Sequence, residues 1–258
     1  MPNAFLFAIS ICLLAAPLRA QDTLRVAAAA DLEPLLPPIL AQFQQATGIH
    51  AEATYQASAM LTAEMENGAP FDLFLSADLS YPKRLIREGL AETTGTATPI
   101  TYAKGTLVLW ERKGSKIPPP SLDLLRSAAL RRLAIANPGR APYGRAAIAT
   151  LQSLGLYDAL KPRIVTAENI AQAAQYADSA NADAGLISLT SALTPRLRAD
   201  GAYFIVPRSL YPPIEQGAVI LKSAKNRAAA HKLLDFLLSS PIQAQLAKSG
   251  LTPANSRR

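Results

Sequence analysis

Short apolar runs alternate with segments of helical pattern along most of the chain, and this alternation constrains the fold more than any other feature. Residues 26–32, 71–75 and 107–110 are examples of such runs. The segment after the first run has the pattern of a helix that ends at Gly48. Buried strands that alternate with helices are typical of α/β proteins. We therefore predict an α/β fold with mainly parallel sheets.

The size of the chain allows one large domain or two lobes, each with a solid core. It has 258 residues, of which 50% are hydrophobic and 17% charged, as expected for a globular protein. No internal repeat or low-complexity linker divides it. Two lobes would therefore be joined by strands that cross between them.

The charge of the chain argues against a nucleic-acid partner. Lys and Arg outnumber Asp and Glu by 26 to 19, which gives a formal net charge of +7. The basic residues are scattered singly or in pairs, and aromatic residues are sparse, unlike a nucleic-acid-binding surface. We interpret the charge as a mild surface bias that attracts anions.

The first twenty residues have the features of a secretory signal peptide. Residues 5–16 form an apolar run that is too short to span a bilayer, and Ala20 closes a plausible cleavage site. No Lys or Arg precedes the run, so a buried N-terminal helix is the alternative. Cleavage after residue 20 would remove Cys12, the only cysteine, and would leave no disulfide or thiol chemistry.

Four strand–helix junctions resemble one another and suggest an anion site. They lie at Ala30-Asp31, at Ser58, at residues 141–144 and at Asn169. We expect Asp31, Ser58 and Asn169 to act as helix N-caps. Helix N-termini carry partial positive charge and free N–H groups, and in α/β sheets they meet at the carboxyl ends of strands. The simpler alternative is that each is an ordinary junction.

The sequence offers little for catalysis or for a bound metal ion. His50 and His231 are the only histidines, and neither has a partner at the spacing of a metal site. No nucleophile elbow, phosphate-binding loop or dinucleotide fingerprint is present. Asp72 and Asp78 flank a predicted strand, but Asp78 is better placed to cap the helix that follows. We therefore predict that the protein is not an enzyme and holds no cofactor.

Several motifs together resemble one known family, the periplasmic molybdate-binding proteins of ABC importers. These motifs run in the family's order across nearly the whole mature chain, at residues 26–32, 67–78, 107–110, 135–138, 141–147, 168–170, 182–187 and 211–216. No single motif would be specific, but their combination is.

The resemblance implies a two-lobed periplasmic binding protein fold of type II-like arrangement with two crossing segments. Residues 1–20 would be the signal peptide, residues 21–101 and 217–258 lobe I, and residues 102–216 lobe II. The crossings would lie near Tyr102 and Gln216. It further implies a periplasmic location, a molybdate or tungstate ligand and delivery to a membrane permease. We expect a monomer.

The family's ligand-binding positions can be carried over one by one. They fall on Ala30 and Asp31 at the first junction, on Ser58 at the second, on Tyr143 at the third, and on the backbone N–H of Ile170 at the fourth. Ser58 and Tyr143 would add hydroxyl donors.

Asp31 departs from the family pattern, because many relatives offer a hydroxyl or amide side chain there. A carboxylate facing a dianion would be repulsive. We expect Asp31 to turn away as a cap and to offer only its backbone N–H. The alternative is that Asp31 accepts a proton from the ligand, which would favour phosphate.

Other functions remain open at this point. One is a binding protein for phosphate or sulfate. Another is a periplasmic hydrolase, and a third is the ligand-sensing domain of a transcription regulator.

Overall fold

The structure is a computed structural model, and it describes residues 23–92 and 98–254. The predicted signal peptide, with Cys12, and the last four residues of predicted lobe I lie outside the described residues. The strands are β1 (Leu24–Ala29), β2 (Ala51–Gln56), β3 (Leu73–Ser76), β4 (Ile100–Gly105), β5 (Leu107–Arg112), β6 (Leu133–Ala136), β7 (Ile164–Ala167), β8 (Ala184–Ser188), β9 (Gly201–Ile205), β10 (Ile214–Ile220) and β11 (Thr252–Pro253).

Helices alternate with these strands, as the sequence predicts. They are α1 (Leu36–Thr47), α2 (Ser58–Glu66), α3 (Ser80–Arg87), α4 (Pro142–Ser153), α5 (Tyr157–Leu160), α6 (Ile170–Asp178), α7 (Leu189–Ala192), α8 (Pro195–Asp200), α9 (Arg227–Leu238) and α10 (Ser240–Lys248). Among the described residues, no helix is both long and apolar enough to cross a membrane.

The strands form two sheets, which confirms the two-lobed α/β fold. Sheet I has the order β11-β4-β10-β3-β1-β2, and sheet II has the order β7-β6-β8-β5-β9. Both sheets are mixed, whereas the sequence pattern predicted mainly parallel ones. In sheet I, β1 pairs in parallel with β2 and β3, but β10 is antiparallel to β3 and β4. The antiparallel pairs include the strands that carry the chain between the sheets.

The chain changes sheet at two places. Only Thr106 separates β4 of sheet I from β5 of sheet II, and the return runs between β9 and β10. Tyr102 and Gln216, near which the crossings were expected, lie inside β4 and β10, and Gln216 pairs with Ala103. We propose that the lobes divide at Thr106 and at residues 206–213, where the sheets themselves divide.

Each sheet has its own apolar core. Phe43 of α1 packs with β1, β3 and α9 on sheet I, while Trp110 is buried with α4 and α6 on sheet II. Small residues at the strand ends of sheet I and just after them, including Ala29 and Ala57, join the core of sheet II. This contact brings the carboxyl ends of strands from both sheets together.

Proline residues set where two helices begin. Helix α1 begins at Leu36 and not at Leu32, and a short 3-10 turn, Ala30–Leu32, follows β1 instead. Pro37 and Pro38 lie in the first turn of α1, where missing N–H groups cost nothing. Pro241 likewise lies in the first turn of α10, just after α9 ends.

Candidate functional site

A small cavity that opens to solvent lies between the two sheets. Its wall includes all five positions that the sequence singled out: Ala30, Asp31, Ser58, Tyr143 and Ile170. Each of them is at least 97% buried. The structure therefore brings together residues that are spread over 140 positions of the sequence.

Strand register explains why these residues meet. Ala29 at the end of β1 lies beside Gln56 at the end of β2, and Ala136 of β6 lies beside Ala167 of β7. Parallel strands that end at the same level place the turns that follow them at one edge of the sheet. The carboxyl ends of the strands in the two sheets thus face each other and form the cavity.

Helix N-termini supply hydrogen-bond donors to this cavity. The first N–H groups of an α-helix have no partner within the helix. Helices α2 and α6 begin at Ser58 and Ile170, both on the cavity wall. The side chain of Asn169 accepts a hydrogen bond from the Gln172 N–H at 2.9 Å, so the prediction that Asn169 caps α6 is confirmed.

Ser58 is not the helix cap that the sequence suggested. The cap position is Ala57, and the Ser58 hydroxyl accepts a hydrogen bond from the Ala77 N–H at 3.1 Å. This bond orients the hydroxyl oxygen through its lone pair. The hydroxyl proton remains available to donate to a ligand.

Asp31 is not a cap either. It lies in the 3-10 turn and is fully buried, and its Oδ2 accepts hydrogen bonds from the Tyr143 hydroxyl at 3.0 Å and from the Gln216 amide. Its other carboxylate oxygen, Oδ1, is buried and has no partner among the described residues. Burial raises the pKa of Asp31 to about 6, although the hydrogen bonds from Gln216 and Tyr143 lower it.

Tyr143 reaches from α4 of sheet II into sheet I. A Cβ atom on Gly105 of β4 would lie only 2.3 Å from the Tyr143 hydroxyl oxygen, so this position leaves room for the phenol. Burial, followed by the charge of Asp31, raises the pKa of Tyr143 well above its usual range. The hydroxyl therefore keeps its proton and donates a hydrogen bond to Asp31. The sequence predicted this hydroxyl as a ligand donor and gave no sign of its bond to Asp31.

Gln216 is a partner of Asp31 that the sequence analysis did not place at the site. It is fully buried on β10, and its amide holds the Asp31 carboxylate from behind the cavity wall. The residue lies in one of the family motifs, at residues 211–216, and that motif was the only available signal.

A second set of contacts joins the two sheets at the rim of the cavity. Arg145 of α4 forms an ion pair with Asp78 and donates a hydrogen bond to the Tyr81 hydroxyl at 3.1 Å. Asp78 was predicted to cap the helix that follows, but the N-cap position of α3 is Leu79; Asp78 instead accepts the backbone N–H groups of Ser80 at 3.0 Å and Tyr81 at 3.3 Å from one residue before the cap. Nearby, the Ala59 N–H donates to the Arg140 carbonyl at 3.2 Å.

The remaining candidates for chemistry have structural roles. His50 and His231 are about half exposed and contact glutamates on the surface. Asp72 accepts backbone N–H groups from Arg25 and Lys225 and so ties segments of sheet I together. Within residues 23–92 and 98–254, no cluster of three or more His, Cys, Asp or Glu side chains is arranged to hold a metal ion.

Comparison with known proteins agrees with this architecture. A family model described as "Bacterial extracellular solute-binding protein" matches residues 24–252. The chain belongs to this family. The solute-binding protein is also 38% identical to the molybdate-binding protein of Rhodobacter capsulatus, over 87% of this chain and 85% of that one. It is 36% identical to the molybdate-binding protein of Azotobacter vinelandii, over 89% of each chain.

Solved structures give the same picture of the fold. The periplasmic molybdate-binding protein of Azotobacter vinelandii superimposes on the solute-binding protein with a TM-score of 0.84 and 32% identity, over 90% of this chain and 100% of that one. The sulfate-binding protein of Mycobacterium tuberculosis matches with a TM-score of 0.74 at 17% identity, over 90% of this chain and 87% of that one. The second match concerns the fold alone.

Proposed function

We propose that this solute-binding protein captures molybdate or tungstate in the cavity between its two lobes and delivers it to an ABC importer. The observation that carries the proposal is the convergence of Ala30, Asp31, Ser58, Tyr143 and Ile170 on one buried cavity. The similarity to two molybdate-binding proteins supports the choice of ligand.

The anion would be held mainly by neutral donors. The backbone N–H groups of Ser58 at the start of α2 and of Ile170 at the start of α6, with the Ser58 hydroxyl, belong to residues of the cavity wall on opposite lobes. Such donors stabilise an anion through partial charges that are fixed in place by the fold. Because both lobes contribute, bound ligand favours the arrangement in which they are closed over it.

The same proposal covers the wider role of the protein. It acts as a monomeric binding protein in the periplasm, with a membrane permease as its partner, and it neither catalyses a reaction nor needs a cofactor. Residues 1–20 would be removed on export. The phosphate or sulfate alternative and the hydrolase alternative draw no support from the relatives at 36–38% identity.

A thermal-shift panel with molybdate, tungstate, sulfate and phosphate tests the ligand class. A ligand at a thousandfold excess over its Kd stabilises the folded state by about 4 kcal/mol. For a chain of this size, that corresponds to a rise in Tm of roughly 8–16 °C. We expect such shifts with molybdate and tungstate and little change with the other two. A shift with phosphate alone, or with no anion at all, would contradict the proposal.

A Ser58→Ala variant tests the site itself. The change removes one hydroxyl donor to an anion, and a hydrogen bond to a charged group contributes about 1.5–3 kcal/mol. We expect the Kd for molybdate in calorimetry to rise roughly 10- to 150-fold. An unchanged Kd would place the ligand elsewhere.

A further inference from the structure

We propose that oxyanion binding in this cavity is coupled to the uptake of one proton, which is held between Asp31 and an oxygen of the ligand. This inference rests on the proposed function and deepens it. It assigns to Asp31 the proton that is present in the complex with the ligand.

The two oxygens of Asp31 have different surroundings. Oδ2 is held by two donors, the Tyr143 hydroxyl and the Gln216 amide. Oδ1 is equally buried but has no partner among the described residues, and Asp31 is part of the cavity wall. A buried carboxylate oxygen without a partner is costly, so the site is incomplete until Oδ1 gains a hydrogen bond.

No positive charge compensates Asp31. The groups that act on its carboxyl are Gln216, Tyr143 and its own backbone N–H, and no Lys, Arg or His of the described chain is among them. The titratable groups that face it are phenols, Tyr102 of β4 and Tyr143 of α4, with Tyr211 beside Tyr143. Burial raises the pKa values of Tyr102 and Tyr143 well above the usual range, so both remain neutral.

The elements from the opposite lobe add no charge either. Helices α6 and α7 pack against the 3-10 turn that holds Asp31. The first turn of α6, residues 170–173, and all of α7, residues 189–192, have no ionisable side chains. Strand β2 of the same lobe also packs against this turn, and its titratable residues, Glu52 and Tyr55, are not among the groups that act on the Asp31 carboxyl. An ionised Asp31 would therefore face a dianion with no positive charge nearby. The repulsion between these negative charges is strongly unfavourable at short range in a buried site.

A single proton removes this conflict. With Oδ1 protonated, Asp31 is neutral and donates an O–H hydrogen bond to the ligand, while Oδ2 still accepts from Tyr143 and Gln216. The proton comes from the solvent or from a buffer acid, and no covalent bond of the ligand breaks. Burial already raises the pKa of Asp31 to about 6, so the proton is taken up readily near neutral pH.

Proton coupling predicts how affinity depends on pH. Molybdate, tungstate and sulfate are dianions near neutral pH, so the ligand itself does not titrate. Above the pKa of Asp31 in the free protein, binding that takes up one proton weakens about tenfold for each pH unit. The same coupling appears in calorimetry as a binding enthalpy that changes with the ionisation enthalpy of the buffer.

The experiment is titration calorimetry of the mature protein with molybdate between about pH 6.5 and 8.5, in two buffers of different ionisation enthalpy at each pH. For the wild-type protein we expect Kd to rise about tenfold per pH unit, with uptake of about one proton. For Asp31→Asn, which keeps the shape and removes the charge, we expect a Kd that is independent of pH and no proton uptake.

Asp235→Asn is the matched control, because it makes the same change on an exposed face of α9, away from the cavity. It should keep the wild-type slope and the wild-type proton uptake. Molybdate binding with no pH slope and no proton uptake in the wild-type protein would overturn the inference and leave the proposed function standing. Failure of the wild-type protein to bind molybdate even at the lowest pH would overturn both.

Discussion

Two of the contacts between the lobes, one inside the cavity and one at its rim, differ in how far water reaches them, and this difference decides their interaction energies. The inner contact, between Tyr143 and Asp31, is buried and has one unpartnered oxygen beside it. The outer contact, between Arg145 and Asp78, is an ion pair at the rim, with the Arg145 side chain 42% exposed.

Formal charge alone would make the outer contact the stronger of the two, but burial makes the inner contact stronger. The outer pair has two full charges, but water and salt screen them, and exposed pairs contribute about 0–1 kcal/mol. The inner contact has only one ionisable carboxyl, but its oxygens cannot turn to water. We therefore expect the inner contact to affect stability and its pH dependence more than the outer pair does.

The pH dependence of stability gives the largest expected effect. The folded protein binds the Asp31 proton up to about pH 6, whereas the unfolded chain releases it near 3.8. Because the folded state holds more protons between these values, the contribution of Asp31 to the free energy of unfolding falls as pH rises through this window, by up to about 3 kcal/mol in total.

Urea unfolding of the wild-type protein and of Asp31→Asn, at several pH values between about 4 and 7, measures this contribution as a difference. The free energy of unfolding of the variant should increase relative to that of the wild-type protein as pH rises. Other carboxylates contribute equally to both proteins and cancel. A difference that stays constant with pH would mean that Asp31 titrates alike in the folded and unfolded states.

Tyr143→Phe tests the inner contact from the other lobe. The change removes one of two donors to Oδ2 and leaves the carboxyl less well satisfied, at a cost of about 1–3 kcal/mol in the free energy of unfolding. Because that hydrogen bond lowers the pKa of Asp31, its loss also moves the pH window upwards. Urea unfolding at several pH values shows both effects, and an unchanged window would mean that Tyr143 does not act on Asp31.

Arg145→Ala tests the outer contact and gives the smallest expected effect. We expect less than about 1 kcal/mol of lost stability, decreasing as salt is added, and an increase in the dissociation rate of molybdate of up to about fivefold. Stopped-flow measurements compare it with Arg140→Ala. The Arg140 side chain is similarly exposed but pairs with Glu168 of its own lobe, and the backbone carbonyl that accepts from Ala59 is kept in the variant, so the dissociation rate should be unchanged. A larger effect for Arg145 than for Tyr143 would reverse the ranking.

Much of the fold and of the site could be predicted from the sequence. The strand–helix alternation indicated an α/β fold, and the motifs placed five positions that the structure brings to one cavity. The antiparallel parts of the sheets were not predicted, because a buried strand has the same apolar pattern in either direction. The directions of β10 and β5 depend on where the chain crosses between the lobes, and a local sequence pattern does not show this.

The helix caps show most clearly where prediction from the sequence fails. Asn169 was correctly predicted as a cap because its partner, the Gln172 N–H, is three residues away. Ser58 binds the N–H of Ala77, which lies 19 residues away in the chain, and its predicted capping role was wrong. A polar side chain at a helix start has the same local pattern in both cases.

Asp31 marks the boundary between what the sequence determined and what the tertiary structure decided. The sequence by itself determined that a carboxylate stands at the first junction of an anion-binding fold. Its partners, Tyr143 and Gln216, lie 112 and 185 residues away along the chain. The burial that raises the pKa of this carboxyl, and the hydrogen bonds that partly offset it, exist only when both sheets are assembled. Short-range hydrogen bonds follow from the order of residues, whereas desolvation depends on everything that packs around a group.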